Sequence, residues 1–548
     1  MNYYNMYKFR ACVFGFTLVF SLMLGFCAMG QTMPAPQPDL PKNWDMLDLN
    51  KDGYAGINLD SAYLFVKNKK SKLVLVAIID SGVDTLQKDL QGILWVNPHE
   101  KPSNKKDDDH NGYIDDTHGW DFLGGKNGKA DIDETSEEIR SYYKLIDKYR
   151  NATGPIDGNQ KEYDYWLKVK AIRDTTINHS TRDLEYLKPE LSALMISNGF
   201  IKNALKLPAD GAFSMKDLDS IKSKNDTIAE SKLVWSEVFQ QEGTSSTNVA
   251  VLKDISEYLK KLNNDINPDL GNRKEIVGDD PDVNDGKPYG NNIIDYSDAA
   301  HGTGVAGLIG AKRNNGYGID GVADNVKIMV LMAVPNGDEY DKDIANAIKY
   351  AVDNGAKVIN MSFGKRLSPH KDWLDAMYKY AAQKDVLLVH ASGNENLNTD
   401  SVQEYPNATF LDGTIHDDNV IEVGASGSKL DTTLAADFSN YGKKTVDVFA
   451  PGVKVTSIDL GGEFNTADGT SFSSPIVTGI AALILEYYPK LSAAQVKEAI
   501  VKSVTPIHVT VNKPGTSQKV DFSTLSRSGG IVNAYKALEY ASKMKGER

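Results

Sequence analysis

The chain has 548 residues, 41% hydrophobic and 25% charged. That is an ordinary globular make-up, with length for about two to four domains and a sizeable core. A formal net charge of −13 argues against a nucleic-acid partner, because phosphate binding needs a basic face, and no CxxC pair or His-rich tract marks a zinc site.

Residues 1–30 read as an export signal. Lys8 and Arg10 give the positive start, Ala11 to Phe26 is mostly apolar, and Ala28-Met29-Gly30 resembles a small-residue cleavage site before Gln31. The apolar part is slightly long, so an uncleaved anchor stands as an alternative. Leu24-Gly25-Phe26-Cys27 also loosely resembles a lipobox, with a lipid anchor at Cys27, although Phe26 is a poor residue before the cysteine. The expected location is therefore extracytoplasmic: secreted, periplasmic or a membrane-anchored lipoprotein. Cleavage before Gln31 removes both cysteines, Cys12 and Cys27, so disulfides cannot brace the mature chain, whereas bound metal can. No later stretch is long and apolar enough to span a bilayer.

Residues 31–72 form an N-terminal extension that opens on a Pro-rich linker, TMPAPQPDLPKNW. The run LVLVAII (73–79) has no polar break and fits a strand buried on both faces of a parallel sheet. It ends in Asp80-Ser81-Gly82, which puts a carboxylate at a strand's C-terminal edge, where ligands gather in open α/β sheets. Residues 107–121 are dense in carboxylates, with Gly112 at a turn. Residues 130–278 then change to Lys, Glu, Asp and Tyr with apolar positions at helical spacing, such as Tyr142, Leu145, Ile146 and Tyr149. We read that stretch as a mostly helical insert with its own small core, dividing a first part of the main domain (73–129) from a second (279–548).

In that second part, strands are expected at 326–334, 356–363, 386–394 and 420–426, with a helix at 343–355. The alternation implies α/β architecture: a mostly parallel central sheet with helices on both faces. Two helices close the chain, at 492–503 and 532–543. Between them and the strands lies GTSFSSPIVTGIAALIL (469–485). Pro475 suits a first helical turn, Ser473 and Ser474 suit caps, and the run from Ile476 to Leu485 is apolar nearly all round, as in a buried helix. An anion forming beside Ser471 would meet the free N–H groups of that helix start.

Two further motifs stand out. HGTGVAGLIGA (301–311) places His301 before a small-residue helix, with Gly304 and Gly307 allowing close packing, and ASGNEN (391–396) places Asn394 directly after a strand. Taken singly, Asp80 fits a helix cap, His301 a satisfied turn histidine and Asn394 a loop residue of positive φ. Together they give Asp, His, Asn and Ser, all at element edges, in that order.

On these residues the chain resembles the subtilisin-like serine peptidases, the subtilases, over about residues 73–125 and 285–545. Asp80-Ser81-Gly82-Val83-Asp84, His301-Gly302-Thr303 and Gly469-Thr470-Ser471 through Pro475 resemble the family's three triad motifs, in its order Asp, His, Ser. Ser392-Gly393-Asn394 resembles its oxyanion segment, and Ser362-Phe363-Gly364 the strand lining its substrate cleft. The resemblance implies an exported serine endopeptidase acting on polypeptides. Ser471 would be the nucleophile and His301 the general base, with Asp80 holding the imidazole and Asn394 with the Ser471 N–H meeting the oxyanion. Substrate would lie extended along Ser362, Phe363 and Gly364. The sequence departs from the family in three ways. Asp80 and His301 are 221 positions apart, a gap the helical insert explains. Gly304 and Gln87 stand where many relatives carry histidine. The stretch between the signal and Leu73 is too short for the usual folding prodomain, which suggests folding without one and an insert that shields the cleft.

Asp107, Asp109, Asn111 and Asp115 fall at positions 1, 3, 5 and 9 of a calcium-type loop, with Gly112 at position 6 and His118 in place of the usual Glu at position 12. Structural Ca2+ is therefore expected there, with a solvated acidic turn as the alternative. DDPDVND (279–285) is a weaker candidate, and Asp89 sits where subtilases often place a calcium carboxylate. Two functional alternatives remain. One is a non-catalytic peptide-binding protein on a subtilase fold, which an intact triad disfavours. The other is a sedolisin-like acid peptidase, against which His301 and Asn394 argue. A histidine base predicts a rate rising through about pH 6–7 rather than a maximum near about pH 4.

Overall fold

The computed structural model describes residues 40–242, 247–415 and 418–548. The signal segment, Cys12, Cys27 and most of the Pro-rich linker lie outside the described residues. Among the described residues no helix is long and apolar enough to cross a membrane.

The described chain forms two compact units, dividing at 154 and 268 rather than at 130 and 278. The larger holds residues 42–153 and 269–548. In chain order its first elements are α1 (Leu59–Val66), β1 (Val74–Asp80), β2 (Gly119–Asp121) and α2 (Glu137–Tyr149). The other unit holds α3 (Gln160–Leu205), α4 (Met215–Ser220), α5 (Asp226–Glu242) and α6 (Asn248–Ile266). The larger unit resumes with α7 (Asn272–Ile276), α8 (Ala300–Gly310), β3 (Val326–Met332), α9 (Asp341–Asp353), β4 (Val358–Met361), α10 (Lys371–Gln383), β5 (Leu387–Ala391), β6 (Val420–Ser426) and β7 (Val448–Pro451). After the hairpin β8 (Val455–Ile458)–β9 (Phe464–Ala467) come α11 (Thr470–Tyr487), α12 (Ala493–Lys502), β10 (Thr505–Pro506), β11 (Thr510–Asn512), β12 (Lys519–Asp521), β13 (Gly530–Ile531) and α13 (Ala534–Ala541).

The main sheet runs β10-β13-β7-β6-β5-β4-β1-β3-β2, parallel throughout except for β10 against β13. Its central strands are apolar on both sides because both faces are covered, as expected for parallel sheets. Ala77, Ile79, Leu331 and Met361 pack with Ile348 of α9 and Tyr378 of α10. The other face takes α11, whose residues 470–486 are all buried. Strand β1 pairs with β3 on one side and β4 on the other, so successive connections leave it in opposite directions. That makes the C-terminal end of β1 a topological switch point, and Asp80 is its last residue.

Within the helical unit, Phe213 and Trp235 meet edge to face at 5.1 Å and Trp235 lies 5.4 Å from Phe239, forming an aromatic centre. The buried positions of α6, Val251, Ile255, Tyr258 and Leu262, follow the three-to-four spacing of an amphipathic helix.

Candidate active site

Asp80 is fully buried, and its Oδ1 accepts from the Ser81 N–H at 2.8 Å and from His301 Nδ1 at 2.7 Å. This joins two residues that stand 221 positions apart. Gly302 permits the approach: a Cβ there would lie 2.0 Å from the Gly82 carbonyl, so any larger residue would push α8 off the end of β1. The carboxylate fixes the proton on Nδ1 and leaves Nε2 as the basic nitrogen, on a side chain that is 40% exposed. Burial lowers the imidazole pKa, but the charge and hydrogen bond of Asp80 outweigh it, and His301 ends above the ordinary histidine value.

Ser471 stands in the first turn of α11 and is buried at 5% exposure. The helix starts at Thr470, earlier than the sequence suggested, and this corrects two expectations. Ser473 and Ser474 are not caps. Ser473 Oγ donates to the carbonyls of Ala450 and Pro451, each at 3.1 Å, and Ser474 Oγ lies 2.8 Å from Ser362 Oγ and 3.1 Å from Asn360 Oδ1. Pro475 sits in the second turn. Its missing N–H would have bonded the Ser471 carbonyl four residues back. Ser362 Oγ donates to that carbonyl at 2.9 Å instead, and itself accepts from Asn360 Nδ2 at 2.9 Å. The knot of small hydroxyls thus ties the helix start to β4 and β7.

The ring of Phe472, the residue after Ser471, meets the His301 ring edge to face at 6.2 Å. This brings the first turn of α11 alongside His301. Among the described residues no hydrogen bond joins the Ser471 hydroxyl to the imidazole; in substrate-free sites that link is commonly long and tightens in the complex. A Cβ at Gly304 would meet Phe472 at an ordinary 3.4 Å, whereas one at Gly307 would lie only 2.5 Å from Ile458 of β8, so close packing requires the glycine at 307 and not at 304. Gln87 caps a short turn and donates to the Asp459 carbonyl at 2.8 Å.

Asn394 is oriented without ambiguity. The Thr470 backbone N–H and hydroxyl both donate to its Oδ1 at 2.9 Å, so that atom is the oxygen. Its amide nitrogen is left as a donor beside the first turn of α11. Gly393, at φ 100°, allows the tight exit from β5; a Cβ there would collide with Asn440, Glu395 and Glu404. Burial, with Glu395 beside it, pushes the Glu404 carboxyl well above the usual range.

Ser362, Phe363 and Gly364 follow β4. The Ser362 hydroxyl is committed to the helix start, Phe363 is buried, and Gly364 is exposed. Lys365 is held by Glu137 at 3.2 Å, Asp341 at 2.9 Å and the Glu339 carbonyl at 2.7 Å. Sequence reasoning missed His390 behind this segment. Its Nδ1 lies 2.8 Å from Glu422 Oε2 and its Nε2 lies 2.7 Å from the Phe363 carbonyl. A histidine inside the otherwise apolar VLLVHA was the available signal.

The expected calcium ligands do not converge as read. Asp107 accepts the N–H groups of Asn111 and Gly112, and Asp115 those of Asn104 and Lys105, so both serve loop geometry. Asn111 donates to Asp109 and Asp116. The carboxylates that come together are Glu100, Asp109 and Asp116, with ligand atoms all within 4.8 Å of one another. Glu100 Oε1 accepts from the N–H groups of Asp108 and Asp109, while its buried Oε2 has no hydrogen-bond partner among the described residues. Burial raises the Asp116 pKa to about 6 despite hydrogen bonds from Tyr350, Asn111 and Asn97. Three carboxylates around an unfilled acceptor suit a hard cation. Glu100 and Asp116 were missed because neither falls on the loop spacing. In 279–285, by contrast, Asp279 pairs with Arg273 and Lys342, Asp282 with Lys144 and His370, and Asp285 with Lys287. The protein's own cations thus engage three of its carboxylates, and Asp280 Oδ1 accepts the Asp282 N–H at 3.0 Å. Asp89 accepts from Asn315 Nδ2 at 2.7 Å and the Ile319 N–H at 3.2 Å.

A mostly parallel α/β sheet, with an Asp–His pair at its switch point and a serine at a buried helix start, sets the frame for comparison with known proteins. The model of the subtilase family (Peptidase_S8) matches residues 158–530, and the chain belongs to that family. The match begins after Asp80, so β1 lies outside it. The chain is 35% identical over 299 residues to the thermophilic serine proteinase of Bacillus sp. (strain AK1), covering 54% of this chain and 63% of that one. It is 35% identical over 218 residues to the cell wall-associated protease of Bacillus subtilis (strain 168), covering 40% of this chain and 22% of that one. With thermitase of Thermoactinomyces vulgaris it shares 31% identity over 275 residues, covering 50% of this chain and 84% of that one. The chain thus spans less than two thirds of the first two relatives.

Proposed function

We propose that the protein is an exported serine endopeptidase that cleaves polypeptides through an acyl-enzyme on Ser471. His301 Nε2 takes the serine proton and returns it to the leaving amine. Asp80 keeps the proton on Nδ1 and stabilises the imidazolium. The Asn394 amide and the Ser471 N–H, at the positive end of α11, receive the oxyanion. Substrate lies extended against Ser362, Phe363 and Gly364. The observation that carries this reading is the 2.7 Å Asp80–His301 hydrogen bond at the sheet's switch point. The helical unit, residues 154–268, is then an insertion between the Asp and His motifs. Export is supported by the apolar N-terminal segment and by relatives described as cell wall-associated and, for Epr of Bacillus subtilis, extracellular.

Calcium belongs to the same proposal. Glu100, Asp109 and Asp116 would hold it, with the unpartnered Glu100 Oε2 as the strongest reason, and bound Ca2+ would neutralise carboxylates in a loop that has no disulfide to brace it. A cleavage profile on a peptide library, run on wild type and Ser471→Ala with and without chelator, tests both parts. Catalysis requires cleavage that Ser471→Ala abolishes. Calcium requires a chelator-induced drop in Tm that Asp116→Asn removes. Cleavage surviving in Ser471→Ala, or a Tm indifferent to chelator, overturns the respective part.

A further inference from the structure

His390 is 4% exposed, and both of its ring nitrogens face acceptors. A neutral imidazole has one N–H and one lone pair, so it would set a lone pair against Glu422 or against the Phe363 carbonyl. Opposite an ionised Glu422 the ring carries two protons: burial opposes the charge, but the Glu422 charge and hydrogen bond raise the His390 pKa above the ordinary histidine value. The Glu422 backbone N–H donates to Asp447 Oδ2 at 3.0 Å, and its buried Oε1 has no hydrogen-bond partner among the described residues, which leaves His390 as the group that answers the carboxylate. The arrangement reaches outward through one peptide. The Phe363–Gly364 bond is trans and planar, so pinning the Phe363 carbonyl on His390 turns the Gly364 N–H the opposite way. Gly364 is exposed, and its N–H has no protein partner among the described residues.

We propose that His390, held as an imidazolium by Glu422, is a positioning residue that locks the Phe363–Gly364 peptide with its N–H presented to the main chain of an extended substrate. This rests on the reading above that substrate lies along 362–364. The neighbouring Lys365 exchanges backbone hydrogen bonds with Tyr405, its N–H and carbonyl each bonding at 2.9 Å, and so fixes the far end of the same segment. Without the imidazolium, the Phe363 carbonyl loses the hydrogen bond that fixes the orientation of the 363–364 peptide. His390 touches neither Ser471 nor the scissile bond. Its contribution therefore appears in the binding of extended peptides, not in the reactivity of the serine.

The test separates these two readouts. Affinity for an extended tetrapeptide is measured in a Ser471→Ala background, where nothing turns over. Labelling of Ser471 by a small fluorophosphonate, which does not extend along the strand, is measured in the wild-type background. We expect Glu422→Gln to weaken peptide binding about 3-fold and His390→Leu about 10-fold, the scale of one hydrogen bond, with His390→Gln recovering part of the loss. Probe labelling stays within about 2-fold and melting curves confirm folding. Because His390→Leu leaves a buried carboxylate unpaired, Glu422→Gln carries the test if that variant unfolds. Unchanged peptide affinity in folded variants, or labelling that falls in step with affinity, overturns the proposal. Failure of the unmodified background to label overturns the serine-peptidase reading instead, and the affinity arm still decides the role of His390.

Discussion

In the sheet-based unit the strands are apolar and the proposed catalytic groups stand at element ends: Asp80 closes β1, Asn394 follows β5, and Ser471 opens the helix after β9. In the helical unit buried polar groups lie on the helices themselves and answer one another from helix to helix. Ser180 Oγ donates to Asp265 Oδ2 at 3.0 Å, and the Tyr258 hydroxyl donates to Asp183 Oδ2 at 3.1 Å. Groups at the ends of strands and helices keep a free valence among the described residues, such as His301 Nε2 or the Asn394 amide, beside backbone groups that no ladder uses. Groups locked within a helical core are spent on stability. By this contrast, substitutions in the first set should change rate, and those in the second should change only melting.

The largest effect short of losing the nucleophile is expected at Asp80. Asp80→Asn should lower kcat by about 10⁴ while the fold persists, because the amide cannot hold the productive tautomer. The pH profile sharpens this. In the proposed mechanism His301 acts as a base only when deprotonated, so kcat/KM should rise with pH through an inflection above the ordinary histidine value of about 6.5. Removing the Asp80 charge should move that inflection down. Next comes Asn394→Leu, with a loss of about 10²–10³ in kcat and little change in KM, the scale subtilisin shows for one oxyanion donor.

The third expectation concerns the helix start and is read by melting. Ser362→Ala strands the Ser471 carbonyl and should cost about 1–3 kcal/mol. Adding Pro475→Ala restores an N–H four residues on and should recover much of that loss; equal Tm for the single and double variants would break the account of α11. The smallest effect is expected in the helical unit, where Ser180→Ala should cost about 1 kcal/mol and leave kcat/KM unchanged. A rate change there would erase the contrast between the units.

The central sheet was legible because parallel strands covered on both faces must be apolar throughout. The runs read at 73–79 and 420–426 became β1 (Val74–Asp80) and β6 (Val420–Ser426). Asp80 and His301 could be paired by motif although a whole folding unit separates them. What stayed hidden was set by contacts between segments. Nothing local to GTSFSSP shows that Ser362 will accept the role of a missing proline N–H, and so the helix start was read several residues late. Glu100 and Asp116 join Asp109 across a loop, at spacings no linear template contains. His390 reads as one polar interruption in a strand until Glu422, a neighbour in the sheet, appears beside it. The short hairpins β8–β9 and β11–β12 gave no strong alternation to read.

The measurement closest to the centre of the account is mass-spectrometric mapping of fluorophosphonate labelling across pH. The account predicts one modified residue, Ser471, no labelling in Ser471→Ala, and a labelling rate that rises as His301 deprotonates. No adduct on a folded protein, an adduct at another serine, or a rate indifferent to Asp80→Asn would contradict it.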